Sequence, residues 1–231
     1  MNGLLAAGVF VSLLVALQVQ ARGVSSGTVP QHASRKLGHV GLGTTLVATW
    51  PLFGAEPSGR FFAAAPALGL AVYFLALGLG WIRDDAVVRA AARSEDPREL
   101  LTGPLLYVVP FGILVIIFGP SLIAAVALGC LVFGDAMAEV AGRGLRTPIL
   151  PWSRDKTWGG LAGAWFGGVV GASAFVVYLG AVGPVDLPFG SVIGRLTAVA
   201  ATGALIESIS SGEVDNLAIV VGTTVSAALL F

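Results

Sequence analysis

Asp135 and Glu139 stand four residues apart in FGDAMAEVAGRGLRTPILPWSRDKTWGG, residues 133–160, where an apolar run gives way to a basic segment. Residues at this spacing share one face of a helix. An acid at membrane depth costs about 3 kcal/mol on insertion scales, and such acids usually mark a functional site. Two carboxylates on one face can hold a divalent cation, which prefers hard oxygen ligands. Alternatively, one of them can act as a general base. The purely structural alternative is a pairing with an arginine that locks two helices together. Arg143, Arg146, Arg154 and Lys156 follow, with glycines at 142, 144, 159 and 160. Glycine permits close backbone approach, and cations beside it can neutralise phosphate oxygens. No GxxxxGK[ST] pattern occurs, so the segment is not a P-loop. The chemistry indicated is phosphate and metal at a membrane surface.

Two further groups have a similar character. In SRKLGH, residues 34–39, His39 follows Lys36 by three and Arg35 by four, which places it near both on a helix. Cations beside a histidine disfavour its protonation, leaving a neutral donor or acceptor. The alternative is a helix-end anchor whose Arg and Lys reach to the interface. In ESISSGEVDN, residues 207–216, there are three acids and no base. Glu207 falls within an apolar run. Asp215 and Asn216 open the final helix, where Asp or Asn also makes an ordinary N-cap, so Asp215 stands equally as ligand and as cap.

The elements that must position these groups are membrane helices. The 231 residues are 56% hydrophobic and 11% charged, with a mean hydropathy of +0.89. Soluble domains carry roughly 25% charged residues, which excludes a soluble core. Apolar runs of about 20 residues, the length that spans a bilayer, recur along the chain. They predict an all-α, polytopic membrane protein organised as one domain over 1–231. The expected spans are 3–20, 37–53, 61–82, 100–118, 120–141, 158–182, 192–211 and 216–231. The count is about eight, or seven if the short final run does not cross. The 32 glycines suit close helix packing in lipid.

Lysine and arginine settle the expected orientation. Arg22, Arg35 and Lys36 lie in the first loop, Arg83, Arg89, Arg93 and Arg98 in the third, and Arg143, Arg146, Arg154 and Lys156 in the fifth. These are 11 of the 13 basic residues, leaving only Arg60 and Arg195 on the other side. The positive-inside rule then makes the odd loops cytoplasmic and both termini external, in a multi-pass cell-membrane protein. All three polar groups fall in odd loops or at their helix ends, which predicts one cytoplasmic active site. The third loop, mixed in charge, reads as a solvated, partly helical hairpin. A net charge of zero implies no general attraction to nucleic acid. The single cysteine, Cys130, reads as a small packing residue. The first apolar run lacks the basic n-region of a signal peptide, which favours a retained helix.

GDAMAEVAGR followed by KTWGG resembles the GDxxAxxxG…KTxEG pattern of the polyprenol kinase family, which includes dolichol, phytol and farnesol kinases and a CTP-dependent diacylglycerol kinase. RKLGH resembles the family's RKxxH, and EVDNL its DNL segment with an upstream Glu matched by Glu207. LLTGPLLY at 100–107 is similar to a Gly-Pro-x-x-Tyr region of the phytol kinase branch. The resemblance spans residues 35–217, and the chain length suits the compact phytol-kinase-like branch. It implies phosphoryl transfer from a nucleoside triphosphate, usually CTP, to a lipid alcohol, with Mg²⁺ or another divalent cation.

Combining the resemblance with the residue chemistry, the catalytic candidates are Asp135, Glu139, Lys156 and His39. The nucleotide-binding candidates are Arg35, Lys36, Gly134, Asp135, Arg143, Lys156, Thr157 and Asn216. The metal candidates are Asp135, Asp215 and Glu207. The expected partners are a lipid alcohol, the nucleotide and membrane lipid. One position departs from the pattern: Gly159 stands where the family has Glu. A CTP-dependent lipid cytidylyltransferase is the enzymatic alternative, although its DRxD signature is absent. An ion-coupled transporter is the alternative from another class, although no matching halves are visible.

Overall fold

The computed structural model describes residues 1–54, 56–182, 189–210 and 215–231. Helices make up the fold, with no strand among the described residues beyond a single bridge between Ile149 and Thr157. The chain forms two compact units, Met1–Ile117 and Phe118–Phe231.

The first unit is built from α1 (Asn2–Ser25), α2 (Gln31–Thr49), α3 (Gly59–Gly78), α4 (Asp85–Ala91) and α5 (Gly103–Phe118). Helix α1 buries Ala6, Val9, Leu13, Leu17 and Ala21, a stripe at three- and four-residue spacing. It packs on α3 and α4. The Asp84 carboxylate caps α4 by accepting the Val87 N–H at 3.1 Å. The same carboxylate accepts from Gln18 Nε2 at 2.5 Å and from the Tyr73 hydroxyl at 3.3 Å, tying α4 to α1 and α3. Val87, Val88 and Ala90 are buried. The third loop is therefore partly helical as expected, but its helix is packed into the unit rather than solvated.

Among the described residues, six helical stretches are long and apolar enough to cross a membrane: Asn2–Ser25, Gly59–Gly78, Pro97–Phe118, Leu122–Gly144, Trp158–Val182 and Val192–Ile209. The other two expected spans are helices as well. The run 37–53 belongs to α2, which starts earlier, at Gln31, and so carries His32, Arg35, Lys36 and His39 in its first half. It ends in a 3₁₀ turn, Trp50–Phe53. The final run, α10 (Asp215–Leu230), is apolar but only 16 residues long.

The second unit positions the acids. Helix α6 (Leu122–Gly129) runs through a π-helical turn, Cys130–Gly134, directly into α7 (Asp135–Gly144). A π turn widens the helix by one residue and is frequent at functional sites. Helix α8 (Trp158–Val182) packs along α6, the π turn and α7, while α9 (Phe189–Ile209) packs between α8 and α10. Contact along α8 is made through small residues, as expected for helices that associate in lipid. A Cβ on Gly129 would lie 2.5 Å from the Ala172 backbone, and one on Gly163 would lie 2.5 Å from the Ala141 Cβ. Cys130 is buried in this packing, its thiol 3.9 Å from the Gly168 carbonyl. Of the stretch ESISSGEVDN, residues 211–214, including Glu213, lie outside the described residues.

Candidate active site

Lys156 is the centre of the site. Its ammonium donates to Glu207 Oε1 at 2.5 Å and lies 3.8 Å from Asp215 Oδ2. The Glu207 side chain is only 8% exposed, against 22% for Lys156 and 18% for Asp215. Burial alone works to lower the Lys156 pKa. The Glu207 hydrogen bond and charge, followed by the charges of Asp215 and Asp135, outweigh it, so the ammonium is held above its usual pKa. Four groups from four elements thus act on one another: Asp135 from α7, Lys156 from the loop before α8, Glu207 from α9 and Asp215 from α10.

Each arrives by a local rule. Asp135 follows the π turn, which sets the face it presents. Asp215 sits in the first turn of α10, where the helix dipole favours an acid. Glu207 closes a run of one α9 face, Ala200, Gly203, Ala204 and Glu207, at three- and four-residue spacing. With Gly134 and Asp135, that face lines a small cavity of about 10 Å³, room for about one water. Asp135 and Glu207 are its acidic lining, among small and apolar side chains.

The loop carrying Lys156 is a tight hairpin. The Leu150 amide donates to the Lys156 carbonyl at 2.8 Å, the Trp158 amide to Pro148 O at 3.1 Å, and the Lys156 amide to Ser153 Oγ at 3.2 Å. Thr157 caps α8, accepting the Gly160 N–H at 3.1 Å. The Gly159 N–H goes to Thr147 Oγ1 at 2.7 Å. The first amides of α8 are thus bound within the chain, and the close approach that Gly159 and Gly160 permit is to α7. A Cβ on Gly159 would lie 2.9 Å from Thr147 Oγ1 and 3.1 Å from Leu145 Cβ, and one on Gly160 would lie 3.3 Å from the Ala138 carbonyl. Here is the reason for glycine where an acid was expected: Thr147 occupies the place. Gly159→Ala is expected to lower stability by about 1–3 kcal/mol, the usual range for overpacking, and Thr147→Ser in the same chain to recover little of it. Thermal unfolding in detergent measures both.

The other sequence candidates are carried by α7, α10 and α2. Glu139 pairs with Arg143 one turn on, at 3.1 Å, with Arg143 67% exposed. For Glu139, a pairing with an arginine of its own helix is therefore present. Asn216 lies beside Asp215 on α10. Arg35, Lys36 and His39 belong to α2 of the first unit, where the His39 ring stacks 4.0 Å from Tyr107 and the Tyr107 hydroxyl donates to the His39 carbonyl. Sequence reasoning missed the π turn, the Thr147 contact, and Trp152, whose indole N–H donates to Ser208 Oγ at 3.2 Å. Trp152 carried a signal, being an aromatic four residues before Lys156 in the loop that bears the basic residues.

Among the described residues, no three His, Cys, Asp or Glu side chains are grouped so as to hold a metal ion unaided. Mg²⁺ in kinases is held by one or two carboxylates and completed by substrate phosphates, and the all-oxygen acid set around Lys156 fits that chemistry.

The site and the helices define a polytopic membrane protein with a lysine clasped by acids at one end of its second unit. Comparison with known proteins is specific. The chain is 34% identical over 206 residues to a probable chloroplastic phytol kinase of Triticum aestivum, covering 88% of this chain and 69% of that one. It is 34% identical over 209 residues to the chloroplastic farnesol kinase of Arabidopsis thaliana, covering 89% and 67%. It is 33% identical over 229 residues to a probable chloroplastic phytol kinase 2 of Oryza sativa subsp. japonica, covering 97% and 74%. The chain belongs to the polyprenol kinase family, in its phytol-kinase-like branch. No protein-family model matches it, and no solved structure does.

Proposed function

We propose that the protein phosphorylates an isoprenoid-type lipid alcohol, with CTP as the donor and the reaction at the cytoplasmic membrane face. The observation that carries the reading is Lys156 held by Glu207 and Asp215 beside Asp135. The names of the phytol and farnesol kinases support the acceptor class. The cation count of the loops supports the cytoplasmic face.

Phosphoryl transfer depends on positioning and on neutralising charge. Lys156 stays an ammonium and faces the terminal phosphates, its direction set by Glu207. Asp215 and Glu207 offer oxygens to a divalent ion, with Asp135 within reach of the same charges. When bound, that ion would neutralise phosphate charge. The lipid alcohol lies between the helices with its hydroxyl at Asp135. Its oxygen forms a bond to the terminal phosphorus while the bond from that phosphorus to the leaving nucleotide oxygen breaks. Asp135 receives the hydroxyl proton, and the products are a lipid monophosphate and a nucleoside diphosphate.

Labelled CTP or ATP, given with phytol, geranylgeraniol, farnesol, dolichol and diacylglycerol to the purified protein, tests this. The expected product is a lipid monophosphate from an isoprenoid alcohol, formed faster with CTP. A CDP-lipid with pyrophosphate release would establish a cytidylyltransferase instead.

A further inference from the structure

Trp152 makes a contact that the proposed chemistry does not use. Its indole N–H donates to Ser208 Oγ at 3.2 Å. Ser208 is 1% exposed and its own hydroxyl proton goes to the Leu205 carbonyl at 2.7 Å. That hydroxyl therefore has its donor committed and presents a lone pair to the indole. Ser208 is the residue after Glu207 on α9, and Trp152 is four residues before Lys156 on the hairpin. Two elements are thus joined at two adjacent points: indole to Ser208, ammonium to Glu207. The Trp152 ring is also packed edge-on against Trp158, 5.6 Å between centroids at 77°, across the base of the same hairpin.

The alternative role for a half-exposed tryptophan is to anchor the chain at the membrane interface, where such rings are enriched. An anchor needs the ring and not a hydrogen bond to a buried serine. The indole N–H is directed inward to α9 while 49% of the residue remains exposed. Among the described residues, the hairpin's other hydrogen bond to α9 is the one from the Lys156 ammonium to Glu207.

We propose that Trp152 and Ser208 form a positioning clamp that holds the Lys156 hairpin against α9, so that the ammonium stays on Glu207. Trp152 and Ser208 are positioning residues that act through Lys156, and the link to turnover rests on the kinase reading above. The chain contains only two lysines, Lys36 and Lys156, so acylation of each can be followed separately by peptide mapping. A paired ammonium acylates slowly. Trp152→Phe keeps an aromatic ring at the interface and removes the donor together with part of the ring, while Ser208→Ala removes the acceptor.

With acetic anhydride at mildly alkaline pH, both variants should acylate Lys156 about fivefold faster than the parent chain, with the Lys36 rate unchanged. The double variant should be no faster than either single one, because both remove the same bond. In turnover, kcat should fall by a similar factor while KM for the lipid alcohol stays constant. An unchanged Lys156 rate in both variants would overturn the clamp, and so would Lys36 accelerating in step, or additive effects in the double variant. Acylation is read without turnover. A parent chain that phosphorylates no alcohol would therefore overturn the kinase reading, while the two lysine rates still decide the clamp.

Discussion

Lys156→Met is expected to lower lipid phosphorylation by about 10²–10³-fold or more, the scale of losing one preorganised charge-stabilising group. It should also destabilise the fold. Glu207 is 8% exposed and takes its short hydrogen bond from this ammonium. Removing one partner of a buried pair strands the other charge, at about 3–5 kcal/mol. The two effects separate with a second substitution. Lys156→Met combined with Glu207→Gln should regain most of the stability, because a neutral amide tolerates burial better than an unpaired carboxylate, and should regain none of the activity. Thermal unfolding in detergent and product formation on the same preparations read the two quantities. Turnover near the parent rate in Lys156→Met would remove the lysine from the mechanism.

The second large effect is Asp135→Asn. The change is nearly isosteric, so membrane insertion and unfolding temperature should remain close to the parent values. Activity should fall by about 10²–10⁴-fold, the range attributed to a positioned acid–base group. Burial of Asp135 is intermediate, and its charge reaches both Lys156 and Glu207. A modest stability change beside a large activity change is the signature expected of a group kept for chemistry. Parent-like turnover would move the proton acceptor to another residue.

Much of this arrangement is legible from residue types. Apolar runs located the helices because a lipid-spanning segment must be both long and greasy. The acids at 135, 207 and 215 stood out because each breaks or ends such a run. What joins them was less legible. Glu207 and Lys156 lie 51 positions apart, and no local pattern encodes their distance. Helix α2 began earlier than its apolar run because a helix that packs in protein tolerates a polar first half. Glu139 looked equivalent to Asp135 at four-residue spacing, and the structure pairs it with Arg143 one turn later. Gly159 looked like a missing acid, and the reason lay twelve residues back in the Thr147 hydroxyl.

The wide turn Cys130–Gly134 has a consequence in angular terms. An inserted residue in a helix is a phase shift: everything after it is rotated by about 100° relative to a regular helix. The phase of Asp135 relative to Leu122–Gly129 is therefore stored in residue count and not in any side chain. Rewinding Cys130–Gly134 to a regular helix with every residue kept would carry Asp135 about 100° around the axis without altering one functional group. Deleting one residue among Leu131, Val132 and Phe133 would cancel that rotation, because the wide turn spends one residue more than a regular turn over the same sweep. A reading frame for chemistry is thus written into the backbone, in which winding and residue count compensate one another.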